Sequence, residues 1–401
     1  RGGLPILGQA LKLGKGAPWD VMTSWMHKYG PIYRFSMFGK QCVVLAEPQL
    51  MKDVMKTKFT NFHKDVGFTY RPFLSLLGTG IVTSDGLRWR SQRNKVSAAF
   101  RIEVLSEIPG MSQRAVARLS EKLDAIKGTS ETIEIGEELR HLTLQVISEA
   151  LMSLTPQESD ETFAKVYMPI VVEGHFRVWN PAREFCPLLP AWWAHRRNTI
   201  VLNKYITRVI QQRWSLLRQR DLEQQRKACE STDVNHGQGG QGQGQENQEG
   251  KGANGSVLRQ KRQPDILDKV LGLLEPGEWG PAVVRQIRDE MKTFVLAGHE
   301  TSASMLNWAL YELVENSTLH DKVVQESEDV FGTRVSLSAP LPSVESLRAL
   351  SFSEACLREA LRKYSIVPLV VRKCVEHTTI CDKAGKEHAI PKGTVVMLMI
   401  K

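Results

Sequence analysis

Residues 280–316, GPAVVRQIRDEMKTFVLAGHETSASMLNWALYELVEN, decide the fold class of this chain. Pro281 suits the first position of a helix, where its missing N–H is tolerated, and the helical pattern runs on to Asn316. About 36 residues at 1.5 Å each give roughly 54 Å, enough to cross a whole domain. Phe294, Ala297, Thr301, Met305 and Trp308 recur at i, i+3, i+7, i+11 and i+14, which makes them one stripe. In its middle stands Ala297-Gly298-His299-Glu300-Thr301-Ser302. A mid-helix glycine costs up to ~1 kcal/mol relative to alanine, so the small pair asks for a reason. One reason is a bulky planar ligand that approaches the backbone. Thr301 can bond back to the Ala297 carbonyl and open the helix. An opening beside an acid and an alcohol is what a proton relay requires. The plain alternative is a core helix with a threonine in its stripe. His299-Glu300 is also half of a zinc-protease pattern, but Ala303 stands where the second histidine would be.

Two further constellations lie on either side. In Glu359-Ala360-Leu361-Arg362 the acid and base are helix neighbours at i, i+3. Ser351, Glu354 and Arg358 make a polar face, and Glu359 lies ~140° from Glu354 at ~100° per residue. This geometry leads us to expect a buried pair rather than a solvated one. Upstream, Trp89-Arg90-Ser91-Gln92-Arg93 puts Trp89 and Arg93 on one helical face. An indole N–H and a guanidinium aimed the same way make a carboxylate receptor. The alternative is a basic amphipathic helix, since Arg88, Arg90 and Lys95 lie close by.

The remaining sequence bounds the class. The chain has 401 residues, 42% hydrophobic and 24% charged, with a net charge of +9. That composition excludes collagen, disulfide-rich and wholly disordered classes, and the scattered positive charge is weak evidence for nucleic acid. The six cysteines form no CxxC pair, which points to free thiols in a reduced compartment. Residues 231–256 (STDVNHGQGGQGQGQENQEGKGANGS) hold too little apolar surface to fold and read as a flexible, low-complexity insertion. A helix near Trp19–Lys28 stops at Gly30-Pro31, and Ile32–Phe38 with Gln41–Leu45 reads as a hairpin around Gly39-Lys40. Helical patterns fill 86–225, with a long basic one near Ala194–Lys227, and return over 263–364. Strands follow from Pro368, so the layout is α+β and allows the two strand groups to share one sheet.

The three constellations, in this order and spacing, resemble one family, the cytochromes P450, which are haem-thiolate monooxygenases. AGHETS (297–302) is similar to its A-G-x-D/E-T-S/T helix, EALR (359–362) to its E-x-x-R helix, and WRSQR (89–93) to its W-x-x-x-R helix. GLPILG (3–8), YGPIYRF (29–35) and IPKGT (390–394) also look like the family, so the likeness covers nearly the whole chain. It implies a single domain over 1–401, mainly α with small β-sheets, carrying haem b. Glu300 and Thr301 would then be the catalytic pair that delivers protons to bound dioxygen. Ala297 and Gly298 would let the helix lie against the porphyrin. Trp89, Arg93 and Arg372 would hold haem propionates, and Glu359 with Arg362 would be a structural pair. Phe294 and Val370 would line the substrate pocket, together with the loop Phe59–Val82. The implied reaction is hydroxylation of an apolar small molecule (a lipid, carotenoid or other terpenoid). Its electron donor would be an NADPH-cytochrome reductase or a ferredoxin. Membrane association at the endoplasmic reticulum or plastid goes with that reading, and nucleic acid does not. GLPILGQALKLGKGAPWDV (3–21) and the AGHETS helix look most like the plastid carotenoid-hydroxylating branch and its algal relatives, with the fatty-acid ω-hydroxylating branch a near neighbour.

One departure stands out. The family's haem loop, F-x-x-G-x-x-x-C-x-G, supplies the axial thiolate, and none of the six cysteines lies in such a frame. Both ends of the chain look cut, so we expect a fragment truncated before that loop. Two alternatives follow: a degenerate, non-catalytic homologue, or a protein that binds apolar ligands without haem.

Overall fold

The computed structural model describes residues 3–15, 17–100, 106–234, 264–332 and 342–400. Helix α1 (Pro18–Tyr29) stops at Gly30, whose φ of 91° suits glycine and whose N–H bonds Met26 O at 2.9 Å. Strands β1 (Ile32–Met37) and β2 (Lys40–Leu45) follow, with Met37 opposite Lys40. Phe38 and Gly39, at φ 50° and 72°, make the two-residue turn that needs two positive φ values. The remaining strands are β3 (Phe62–His63), β4 (Leu369–Cys374), β5 (Thr378–Cys381), β6 (Glu387–Ile390) and β7 (Val395–Met399). They form one sheet in the order β1-β2-β7-β4-β3 and a β5-β6 pair. The two strand groups do share a sheet, joined where β7 runs parallel to β2. Every residue of β7 is buried. Val395, Met397 and Met399 face one apolar cluster, while Val396 and Leu398 face another.

Helices make up the rest. The main ones are α2 (Leu74–Leu77), α3 (Gly86–Ala99), α4 (Ile108–Ile126), α5 (Ile135–Met152), α6 (Met168–Trp179), α7 (Pro190–Val234), α8 (Pro281–Glu315), α9 (Ser317–Phe331) and α10 (Ser351–Lys363). A π-helical segment, Asp160–Tyr167, leads into α6. The central core packs Leu144 and Leu151 of α5, Ile170 of α6, Ile206 and Ile210 of α7, and Ile287, Met291 and Val295 of α8. Helix α8 therefore runs through the middle of the fold, as its length predicts. The expected insertion lies outside the described residues from 235 onward, and α7 continues as far as Val234.

Two expectations are corrected here. Helix α8 stays an unbroken α-helix through Thr301. Thr301 Oγ1 does donate to the Ala297 carbonyl, at 2.6 Å, but this bond adds to the backbone ladder without opening it. The pair on α10 is not buried: Glu359 and Arg362 side chains are 60% and 72% exposed. The covered stripe of α10 is Phe352, Ser353, Cys356, Leu357 and Ala360. Arg362 lies ~200° round from Ala360, on the opposite side. An angle measured from Glu354 was the wrong reference, because Glu354 does not mark the centre of the solvent face.

Candidate active site

The two faces of α8 differ. On one, Ala297 and Trp308 are exposed, Thr301 is half-buried, and Phe294 packs edge-on against Phe100 with centroids 5.1 Å apart. On the other, His299 is fully buried and Glu300 points away from Thr301 into a groove between α5 and α6. The small pair splits between the faces as well. Ala297 lies on the open side. A Cβ on Gly298 would come 2.7 Å from Ile147 Cγ1 of α5, so the glycine is required for close helix packing.

Basic and donor groups gather near α8, where Lys64 feels the charges of both Glu290 and Arg372 and Phe100, at the end of α3, packs on Phe294. Trp89 and Arg93 stand one turn apart on α3, and Arg93 is exposed with no polar partner among the described residues. Arg372 lies on β4, next to Val370, and Arg372 Nη1 donates to the Val371 carbonyl at 2.9 Å. Lys64, which the sequence analysis passed over, links the two elements. Its Nζ sits 5.7 Å over the Trp89 ring and donates to the Ile81 and Ser84 carbonyls at 2.6 and 2.8 Å. Burial, with the Arg372 charge nearby, pulls the Lys64 ammonium down to about 8. A lysine so placed gains from any anion brought to it.

A second charged region lies deeper along α8. Asp289 accepts from Thr79 N–H at 3.1 Å and from Arg288, and sits 3.1 Å from Lys292 Nζ. Lys292 also donates to Asn203 Oδ1 at 2.9 Å and the Ser75 carbonyl at 3.2 Å. Glu290 accepts from Ile81 N–H at 2.9 Å. Together these carboxylates hold the loop Gly78–Ile81 on α8. Gly78 has φ 50°, and a Cβ there would overlap the Asp289 carboxylate. This knot joins segments about 210 residues apart, and its signal in the sequence is Gly78-Thr79-Gly80 with Arg288-Asp289-Glu290.

An anionic planar cofactor fits the residues present along one edge. Lys64, Trp89, Arg93 and Arg372 suit its carboxylates, and Ala297 leaves the backbone approachable. The described cysteines lie elsewhere: Cys42 and Cys374 in the sheet clusters, Cys186 before α7, Cys356 on α10 and Cys381 on β5. Among the described residues no group of three or more potential metal ligands occurs, and no helix is long and apolar enough to cross a membrane.

Comparison with known proteins bears on the same points. The cytochrome P450 family model matches residues 1–401. Cytochrome P450 4c21 of Blattella germanica is 25% identical, over 98% of this chain and 72% of its own length. Protein LUTEIN DEFICIENT 5, chloroplastic, of Arabidopsis thaliana is 24% identical, over 93% of this chain and 56% of its own length. Carotene epsilon-monooxygenase, chloroplastic, from the same plant is 25% identical, over 92% of this chain and 63% of its own length. The chain thus spans between about half and three quarters of the relatives it matches.

Proposed function

The chain belongs to the cytochrome P450 family, and from that premise we propose that it forms the larger part of a haem-dependent monooxygenase that hydroxylates an apolar lipid or carotenoid-like substrate. Electrons would come from a redox partner, a reductase or a ferredoxin. The observation that carries this reading is the basic cluster of Lys64, Trp89 and Arg372, which faces Glu290 of α8, the helix whose Ala297 lies open two turns further on. Lys64, Trp89, Arg93 and Arg372 would hold the haem carboxylates. Haem supplies the activation of dioxygen when bound. Phe294 and Val370 offer apolar lining, which suits a substrate with little polar surface. Membrane or plastid association is compatible with the relatives named above, two of which are chloroplastic by name.

The chain's own contribution to the chemistry is the handling of protons. Thr301 Oγ1 spends its hydrogen on the Ala297 carbonyl. Its lone pairs therefore face the open side as acceptors, and it donates there only by releasing that carbonyl. Replacing Thr301 with alanine should raise the peroxide released per reducing equivalent several-fold in the full-length, haem-loaded protein. An unchanged ratio would remove Thr301 from the relay.

A further inference from the structure

His299 has no role in the reading above, yet its surroundings are unusual. The ring is fully buried, with Nδ1 2.8 Å from the Val295 carbonyl. A carbonyl only accepts, so Nδ1 carries the hydrogen. In the neutral ring Nε2 is then a bare lone pair. It faces Glu300 Oε1 at 3.3 Å, within ion-pair reach but off the line of a direct hydrogen bond, and no other polar atom among the described residues satisfies it. Two acceptors facing each other in a buried place repel, unless a proton lies on one of them.

We propose that His299 and Glu300 share one proton on the outer side of α8, and that this pair is the outer station of the relay completed by Thr301, with His299 as a positioning residue. The proposal rests on reading Glu300 and Thr301 as relay groups. Glu300 is the member that meets solvent, through a groove of about 610 Å³ lined by Arg140, His141, Leu144, Met168 and His175. Arg140 Nε lies 4.0 Å from Glu300 Oε2. The charged or titratable groups around the pair are Glu137, Arg140 and His141 from α5, Tyr167 from the π-helical segment and His175 from α6. Tyr167 closes the inner side. Its ring stands edge-on to His299 at 5.5 Å, and its buried hydroxyl also has no partner among the described residues. Thr143 Oγ1 lies within hydrogen-bond reach of the His299 carbonyl at 3.1 Å and of the Leu139 carbonyl of its own helix at 2.9 Å.

The proton balance is simple. A proton from solvent in the groove joins the Glu300 carboxylate. It can cross to Nε2, leaving carboxylate and imidazolium, and it must return to Glu300 before Glu300 can pass it on. No bond to a heavy atom changes. The His299 ring first, and Arg140 after it, hold the Glu300 carboxyl below its ordinary value against its partial burial.

The test uses the full-length, haem-loaded protein, reduced under carbon monoxide so that it is diamagnetic, with ¹⁵N-labelled histidine. His299→Asn assigns the signal and keeps a donor near the Val295 carbonyl. The expected result is that Glu300→Gln lowers proton affinity at His299 Nε2 at least tenfold. Equal protonation of Nε2 in the wild type and Glu300→Gln from pH 5 to 9 would overturn the pair. Turnover separates this from the underlying reading. If Glu300→Gln leaves peroxide release unchanged while the Nε2 signal responds, the relay role of Glu300 fails and the pair stands without a function. If peroxide release rises while Nε2 does not respond, the shared proton alone fails.

Discussion

Asp289–Lys292 on α8 and Glu359–Arg362 on α10 have the same design, an acid followed by a base at i, i+3. In one the side chains are 6% and 2% exposed, in the other 60% and 72%. The inner pair is tied to Arg288 on its own helix and to three other elements: the Gly78–Ile81 loop, Ser75 on α2 and Asn203 on α7. Among the described residues the outer pair bonds only to itself, through Arg362 Nε to Glu359 Oε2 at 2.8 Å. A charge withdrawn from water destabilises strongly once its partner is lost, whereas an exposed pair is screened and mobile. Spacing shows that two residues can meet, and only packing decides what the meeting is worth.

The largest effect is expected at the inner pair. Lys292→Ala leaves Asp289 buried with Arg288 and the N–H and hydroxyl of Thr79, a loss of about 3 kcal/mol at the low end of the range for a broken buried pair. That is a large part of a stability of ~5–15 kcal/mol. The urea midpoint of the purified protein should fall sharply. If Lys292→Ala moved it no further than a substitution at Arg362, the contrast between the two pairs would be broken.

Next comes the neighbouring Glu290. Burial first, then the Asp289 charge, push its carboxyl up to about 7, against the hydrogen bond from Ile81 and the charges of Arg88 and Lys64. The folded state therefore holds a proton that the unfolded chain has released above about 4.5. The folded state binds more protons between these values, so stability falls as pH rises from about 4.5 to about 7. At about 1.4 kcal/mol per pH unit the window spans a few kcal/mol. Glu290→Gln keeps an acceptor for the Ile81 N–H and carries no charge, so its stability should be flatter than that of wild type from pH 5 to 7. Parallel pH curves for the two proteins would show that Glu290 ionises freely, and that the loop is held without a carboxyl poised in this range.

The uneven legibility of the sequence has the same physical root. The reach of α8, the β1–β2 hairpin and the sharing of one sheet were readable because period, turn chemistry and the pairing of strand groups are local or nearly local. The face of α10 was not, since it depends on which neighbour covers Ala360. Arg288-Asp289-Glu290 carries no local sign of burial, although Val284, Ile287, Met291 and Val295 put a buried stripe beside it. Lys64 matters only because β3 brings the start of its loop beside β4 and Arg372. Thr301 was read correctly in its bond to Ala297 and wrongly in its effect on the helix. A hydroxyl can cap a carbonyl that remains in its ladder.

The smallest effect is expected at the pair the sequence marked as buried. Arg362→Ala removes a guanidinium whose only polar partner among the described residues is Glu359, itself in water. The freed carboxylate is solvated at once, so no buried charge is stranded. Salt gives an independent check. An exposed pair is screened within about 10 Å at 0.1 M, so any small shift in the unfolding midpoint should vanish at high salt, while the Lys292→Ala shift should persist. A loss at Arg362 as large as that at Lys292, and insensitive to salt, would mean that α10 is covered on its Glu359–Arg362 face in the folded protein. The two pairs would then be equivalent in burial as well as in spacing.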